Sequence, residues 1–255
     1  MNTLLPALLA LCWLQPPQPP IPPLTAPPAA PPTREDRVLL EAADVLREVQ
    51  AEPDRGIPTF LIKDAKGLVI IPGLKKVGFF IEGHFGRGIA IVRRGDGTWA
   101  PPVFCRMTGG GFGAQAGVQA QDLVLVCRTD RSMKWVFSGA EITLDLNAGV
   151  SAGPVGRDVK AGTDIKLESE ILAYSRSRGL FAGLAVSGGR LRVENNSNAD
   201  YYRAPGIGTR EIVGAQNLPV TEAAVRLQQV LQQVSGSPQV ILGQPKPVAP
   251  PPPQR

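Results

Sequence analysis

Few residues in this chain have the types and spacing that chemistry demands. The one histidine, His84, is set in Gly83-His84-Phe85-Gly86, which reads as a strand end or turn. A Ser-His-Asp triad would have to use it as the base, and no nucleophile motif such as G-x-S-x-G is expected elsewhere in the chain. As a metal ligand it has no histidine or cysteine partner at the usual spacing, so no metal site is expected. Gly109-Gly110-Gly111-Phe112-Gly113 imitates a phosphate loop. No Gly-Lys-Ser/Thr ending follows it, and Val118 to Val126 is strand-like where such a loop needs a helix. The dinucleotide fingerprint fails on the same context, and no cofactor is expected. Carboxylate pairs such as Asp145 with Asp158, or Glu168 with Glu170, lack the apolar surroundings that would raise one pKa of the pair, and read as solvated charge. The inventory offers no catalytic residues, and the chain reads as a non-enzyme.

Three cysteines occur: Cys12, Cys105 and Cys127. The last two fall in strand-like runs, and two readings are open for them, a disulfide in an oxidising compartment or a pair of buried thiols. Net charge is +5 and the sequence pI about 9.3, while aromatic residues make up only 5% of the chain. So few aromatics argue against a single-stranded nucleic-acid platform, which stacks bases on rings in a basic groove. No nucleic-acid partner is expected. The positive balance suits anionic lipid headgroups and ordinary solubility alike.

The elements that must position any site lie between two proline-rich stretches. Leu4 to Leu14 is almost wholly apolar, shorter than the ~20 residues of a spanning helix and close to a signal-peptide core, so residues 1–15 are expected to direct export. The destination would be periplasmic, envelope-associated or secreted. Cys12 offers a lipidation site, although the bulky Leu9 stands where a lipoprotein cleavage site wants a small residue. Residues 16–32 form a proline-rich linker and residues 244–255 a proline-rich tail, neither able to bury enough apolar surface to order itself. Residues 33–243 remain, the size of one domain.

Within that domain Arg34 to Gln50 carries Val38, Leu39, Ala42, Val45, Leu46 and Val49 on one helical face, with Thr33 placed to cap it. A short helix is expected over Pro58 to Lys63, another over Asp130 to Phe137 closed by Gly139, and further helices over Asn198 to Tyr202 and Thr221 to Val234. Between them run short segments rich in Val, Ile and Phe: 68–71, 77–82, 88–94, 98–107, 111–119, 122–128, 141–151, 165–175, 179–187 and 190–194. Gly95-Asp96-Gly97 reads as a hairpin turn. Glycines inside the strands, among them Gly78, Gly83, Gly86, Gly88 and Gly113, mark bulges, bends or close backbone approach. The expected fold is α+β: a single domain with a strongly coiled, mainly antiparallel sheet or barrel and flanking helices.

Several blocks then carry a resemblance. Asp64 to Pro72 followed by Val77 to Ile81, the run Asp122 to Val126, the block Ala152 to Asp158, Ile171 to Gly183, and Asn195 to Tyr202 with its paired tyrosines are together similar to the SYLF-domain family over about residues 35–205. The resemblance implies phospholipid binding at a membrane surface. Its alternative is a structural or protein-interaction module of the actin-binding type. It also suits a bacterial, exported branch. The mixed charge of the first helix (Arg34, Glu35, Asp36, Arg37, Glu41, Asp44, Arg47, Glu48) is not the Lys/Arg-rich face of a membrane-surface helix, and assigns that helix to core packing. Headgroup contacts are expected from the basic residues Lys75, Lys76, Arg157, Lys160, Arg176 and Arg178, since Arg can pair a phosphate with two donors and Lys supplies a point charge. In Gly153-Pro154-Val155-Gly156-Arg157-Asp158 two readings are open, an anion-binding turn and a chain reversal required by the architecture. The tail also resembles a proline-rich ligand for a protein partner.

Overall fold

The computed structural model describes residues 31–51, 56–78, 81–112, 117–144, 149–152, 169–177, 180–183 and 188–236. The signal-like segment, residues 16–30 of the linker and the whole proline-rich tail lie outside these residues.

Helix α1 (Arg34–Ala51) begins where expected. Thr33 Oγ1 accepts from the Asp36 amide at 3.0 Å while Asp36 Oδ2 accepts from the Thr33 amide at 3.1 Å, so two otherwise orphaned donors are satisfied reciprocally. Its apolar stripe of Leu39, Ala42, Ala43, Val45 and Leu46 is buried, which bears out a core-packing role. A short α2 (Thr59–Asp64) follows and leads into the sheet.

The sheet contains β1 (Gly67–Gly78), β2 (Ile81–Val92), β3 (Val103–Phe112), β4 (Gly117–Cys127), β5 (Ile142–Leu144), β6 (Val150–Ala152), β7 (Ile171–Ser177), β8 (Leu180–Gly183) and β9 (Gly189–Val193). Strands are adjacent in the order β5-β9-β3-β2-β1-β4-β7-β6, and β8 pairs with β7. Every pairing is antiparallel except β6 with β7. This order cannot lie flat. Eight strands side by side would set the outermost pair about 34 Å apart at ordinary strand spacing. Yet β5 and β6 are consecutive in sequence, and the backbone from Leu144 to Val150 reaches no further than about 22 Å. The sheet therefore coils until its two margins approach, and the expected coiled, nearly closed architecture is what forms.

Coiling gives the sheet two faces and two cores. On the concave side Val69, Ile71, Ala90, Val92, Val103, Cys105, Leu123, Leu125, Leu144, Val150, Ile171, Ala173, Leu191 and Val193 pack together. A 3₁₀ turn (Arg131–Met133), α3 (Lys134–Ser138) and α5 (Thr209–Gly214) add Met133, Trp135, Val136, Ile212 and Val213 to this core. On the convex side Leu68, Ile70, Ile89, Ile91, Phe104, Val124, Val126, Leu172 and Tyr174 pack under α1 and α6 (Glu222–Ser235). Strand alternation explains the division, because neighbouring side chains point to opposite faces. Helix α4 (Asn195–Tyr202) is clamped to the start of β3: the Phe104 amide donates to Asn198 Oδ1 at 2.8 Å, and Tyr202 Oη donates to the Pro102 carbonyl at 2.6 Å.

The first six strand-like segments merge into four long strands. Pro72-Gly73 is a bulge within β1, not a turn; Gly73 has φ of 55° there, and its amide donates to Asp122 Oδ1 at 2.9 Å. Gly86 and Gly88 make room for that bulge. A Cβ at Gly88 would lie 2.0 Å from the Ile70 carbonyl oxygen, and one at Gly86 would lie 2.7 Å from Ile71 Cγ2. Close approach, one of the meanings expected of these glycines, is thus the one realised. Gly95-Asp96-Gly97 does turn the chain, with Asp96 Oδ1 accepting from the Thr98 amide at 2.9 Å. Gly139 closes α3 with φ of 66°. Segment 141–151 divides into β5 and β6, and α5 has no counterpart among the expected helices.

Candidate functional site

Of the six expected headgroup residues, Arg157, Lys160 and Arg178 lie outside the described residues, as does the loop Gly153 to Asp158. Arg176 is committed internally. Its Nε donates to Asp122 Oδ2 at 2.8 Å and a second guanidinium nitrogen lies 2.6 Å from the same oxygen, while Glu48 of α1 pairs with it from the other side. Asp122 also holds the Gly73 amide, so the cluster ties the β1 bulge to β4, β7 and α1. Lys75 and Lys76 follow the bulge as ordinary strand residues, opposite Phe85 and His84. Lys75 Nζ sits 6.0 Å from the centre of the Phe85 ring.

Register assembles a feature that linear reading misses. Arg87 of β2 is opposite Arg106 of β3, and Arg106 is opposite Arg192 of β9. All three share the convex face. Arg87 is two residues from Ile89, and Arg106 two from Phe104, both in the convex core; Arg192 lies between Leu191 and Val193, which face the concave core. The next row on that face runs Lys75, Phe85, Thr108 and Arg190 across β1, β2, β3 and β9. Like charges placed directly opposite one another in a sheet repel. Arg87 is relieved by Glu194 at 3.0 Å, and the largely exposed Arg190 lies 3.6 Å from Glu141. Among the described residues no carboxylate pairs with Arg106 or Arg192, both exposed. Phe85, 49% exposed, is the large apolar side chain that the described surface leaves most open, and it lies beside this row. The sequence hint was the alternation Arg190-Leu191-Arg192 on a strand; its alignment with Arg106 and Arg87 depends on pairings between distant segments.

The residues considered for chemistry remain apart. His84 lies within β2, neither at a strand end nor in a turn. Contrary to the expectation that no such motif occurs, the letters G-x-S-x-G stand once, at Gly149-Val150-Ser151-Ala152-Gly153. Ser151 stands inside β6, opposite Leu172, instead of on a strand-to-helix elbow. Val150 faces the concave core, so Ser151 faces the convex side. His84 shares its strand parity with Ala90 and Val92 on the concave side, which places the sheet between serine and histidine. Among the described residues no cluster of three or more His, Cys, Asp or Glu could hold a metal ion. Cys105 and Cys127 are free, buried thiols. They sit on β3 and β4, which β2 and β1 separate, so the disulfide reading gives way to that of two buried thiols. Burial pushes both thiols up, Cys127 to about 12 and Cys105 further, and leaves them unreactive. Among the described residues no helix is long and apolar enough to cross a membrane.

The profile of the Ysc84 family, described as "Las17-binding protein actin regulator", matches residues 108–234, from β3 to α6. The chain belongs to the Ysc84, or SYLF-domain, family. Protein YSC84 of Saccharomyces cerevisiae is 38% identical over 151 residues, covering 58% of this chain and 32% of the yeast protein. SH3 domain-containing YSC84-like protein 1 of Homo sapiens is 34% identical over 167 residues, 64% of this chain and 48% of the human one. LAS seventeen-binding protein 3 of the same yeast is 38% identical over 58% of this chain and 33% of its own length. The SYLF chain described here thus spans about a third to a half of the curated relatives it matches. Its family is not one of known enzymes, in keeping with the separated His84 and Ser151.

Proposed function

We propose that this SYLF domain is a non-catalytic module that docks on anionic phospholipid through its convex arginine row. The observation that carries the reading is the alignment of Arg87, Arg106 and Arg192 across three paired strands, with Arg106 and Arg192 exposed and lacking a carboxylate partner among the described residues. Such a row costs repulsion in the isolated fold. Phosphates would relieve it, because each guanidinium can donate to two phosphate oxygens. Phe85 beside Lys75 supplies an apolar contact at headgroup depth. Each basic residue near an anionic surface contributes ~1 kcal/mol, so Arg106 and Arg192 together account for roughly a thirtyfold change in partitioning. Flotation of the full chain with phosphatidylserine-containing vesicles should show salt-sensitive binding. Arg106→Glu/Arg192→Glu should reduce it by more than thirtyfold, with phosphatidylcholine vesicles as the negative control. Unchanged binding by the double variant would sink the proposal.

An exported setting belongs to the same proposal, supported by the apolar run Leu4 to Leu14 and the prolines after it. Finding full-length protein with its first residues intact in the cytoplasm would overturn that part. A second reading has its own support in the family description: a basic face also suits an actin-related protein partner. Sedimentation of the chain with filamentous actin, lost on the same charge reversals, together with no vesicle binding, would favour it.

A further inference from the structure

A recess that the arginine row does not use lies toward the opposite end of β2 from Phe85. There α3 and α5 close the coiled sheet, with Trp135, Val136, Ile212 and Val213 buried in the concave core. Between the two helices is an open depression of about 640 Å³, lined by Lys134, Phe137, Ser138, Arg210, Val213 and Gly214. That volume is within the ~300–1,000 Å³ usual for sites that take small ligands.

The lining has one sign of charge. Lys134 and Arg210 are exposed, no carboxylate lines the recess, and among the described residues neither cation has a carboxylate partner. The carbonyls at the end of α5 would ordinarily present a partial negative charge to anything bound there. Arg94 removes much of it: Nε donates to the Val213 carbonyl at 2.9 Å, and a second guanidinium nitrogen donates to the Ala215 carbonyl. The only acidic side chain of α5, Glu211, is turned to the helix start, where it accepts from the Gly208 amide at 3.1 Å. Beside the cations the lining includes the half-buried Phe137 and the buried Val213, with Ser138 and Gly214.

The geometry points to a site for a single molecule of a one-chain anionic amphiphile, its acidic head between Lys134 and Arg210 and its hydrocarbon chain against Phe137 and Val213. A carboxylate and a phosphate monoester present the same head chemistry to these two cations. This site is separate from the arginine row and stands whether or not that row binds membranes.

Calorimetric titration of the full chain with laurate and with lysophosphatidate, both below their micellar concentrations, tests the site. Saturable binding with one molecule per chain is expected for at least one of them, and which one assigns the head as carboxylate or phosphate monoester. Lys134→Ala/Arg210→Ala should weaken that binding at least tenfold with an unchanged melting temperature, since both side chains are exposed, and Lys134→Arg/Arg210→Lys should restore it. Dodecanol, which has the chain without the charge, should bind at least tenfold more weakly. Arg106→Glu/Arg192→Glu should bind the amphiphile as the unaltered chain does, so failure of the membrane reading leaves this result standing. The inference is overturned if neither amphiphile saturates the chain, if dodecanol binds equally well, or if the double alanine variant binds unchanged.

Discussion

Alkaline unfolding should be steep, because all three tyrosines of the chain are folded into its interior. Tyr174 and Tyr202 are buried, and Tyr201 is half-buried, edge-on to Phe104 at 5.0 Å and to Tyr202 at 4.8 Å. Tyr202 Oη is held by the Pro102 carbonyl, and Tyr201 Oη lies 3.0 Å from Thr221 Oγ1. Burial disfavours the phenolate in each, pushing Tyr201 to about 12 and the other two in the same direction. In the unfolded chain a phenol titrates near 10. Below that value both states keep their protons and the stability is fully present. Above it the unfolded chain binds fewer protons than the folded one, so stability falls as pH rises, by about 1.4 kcal/mol per unit for each tyrosine. Three together give about 4 kcal/mol per unit between pH 10 and about 12, about 8 kcal/mol in all, which is comparable with an ordinary domain stability of ~5–15 kcal/mol. Tyrosinate ultraviolet absorbance and far-ultraviolet circular dichroism, followed together against pH, should change in one cooperative step. Phenols that ionise singly near pH 10 while the dichroism stays intact would refute the reasoning.

Two substitutions probe the bulge in β1. Gly88→Ala sets a Cβ against the Ile70 carbonyl oxygen, a backbone atom that cannot turn aside, and should cost about 3 kcal/mol or more in urea denaturation; Gly95→Ala, where nothing lies within 4 Å, serves as the control and should be near neutral. Asp122→Ala leaves the Gly73 amide without its acceptor and takes from Arg176 the carboxylate that holds two of its nitrogens, and should cost about 3 kcal/mol; a urea midpoint equal to that of the unaltered chain would show that the cluster is ornamental.

What the sequence made legible was local. Thr33 followed by Asp36, the helical spacing of the apolar residues in α1 and α6, and Gly95-Asp96-Gly97 each encode their conformation within a few residues. The break expected between segments 68–71 and 77–82 is instead a bulge at Pro72-Gly73 within one strand; what makes it so lies in Asp122, 49 residues away, and in the room left by Gly86 and Gly88. Helix α5 has only six residues, with an apolar face too brief to show a period. Arg176 looked available because nothing nearby in sequence announces Asp122 or Glu48. The arginine row was invisible for a similar reason, since Arg87, Arg106 and Arg192 become neighbours only through register. The disulfide reading failed because two strand-like runs do not reveal that two further strands come between them.

The strand order also sets a problem of timing. A chain made from its amino terminus can complete β3-β2-β1-β4 early, yet the open flanks of β3 and β4 wait for β9 and β7, which come after residue 170. Strand β5 is made before β9, the strand it pairs with among the described residues. Until then the growing protein presents long rows of unsatisfied amides and carbonyls, the surface on which nascent chains stick to one another. Pairings between such distant segments are slow to form. The short connection that obliges the finished sheet to coil thus makes closure the last act of folding, and the interval before it the protein's time of greatest exposure to aggregation.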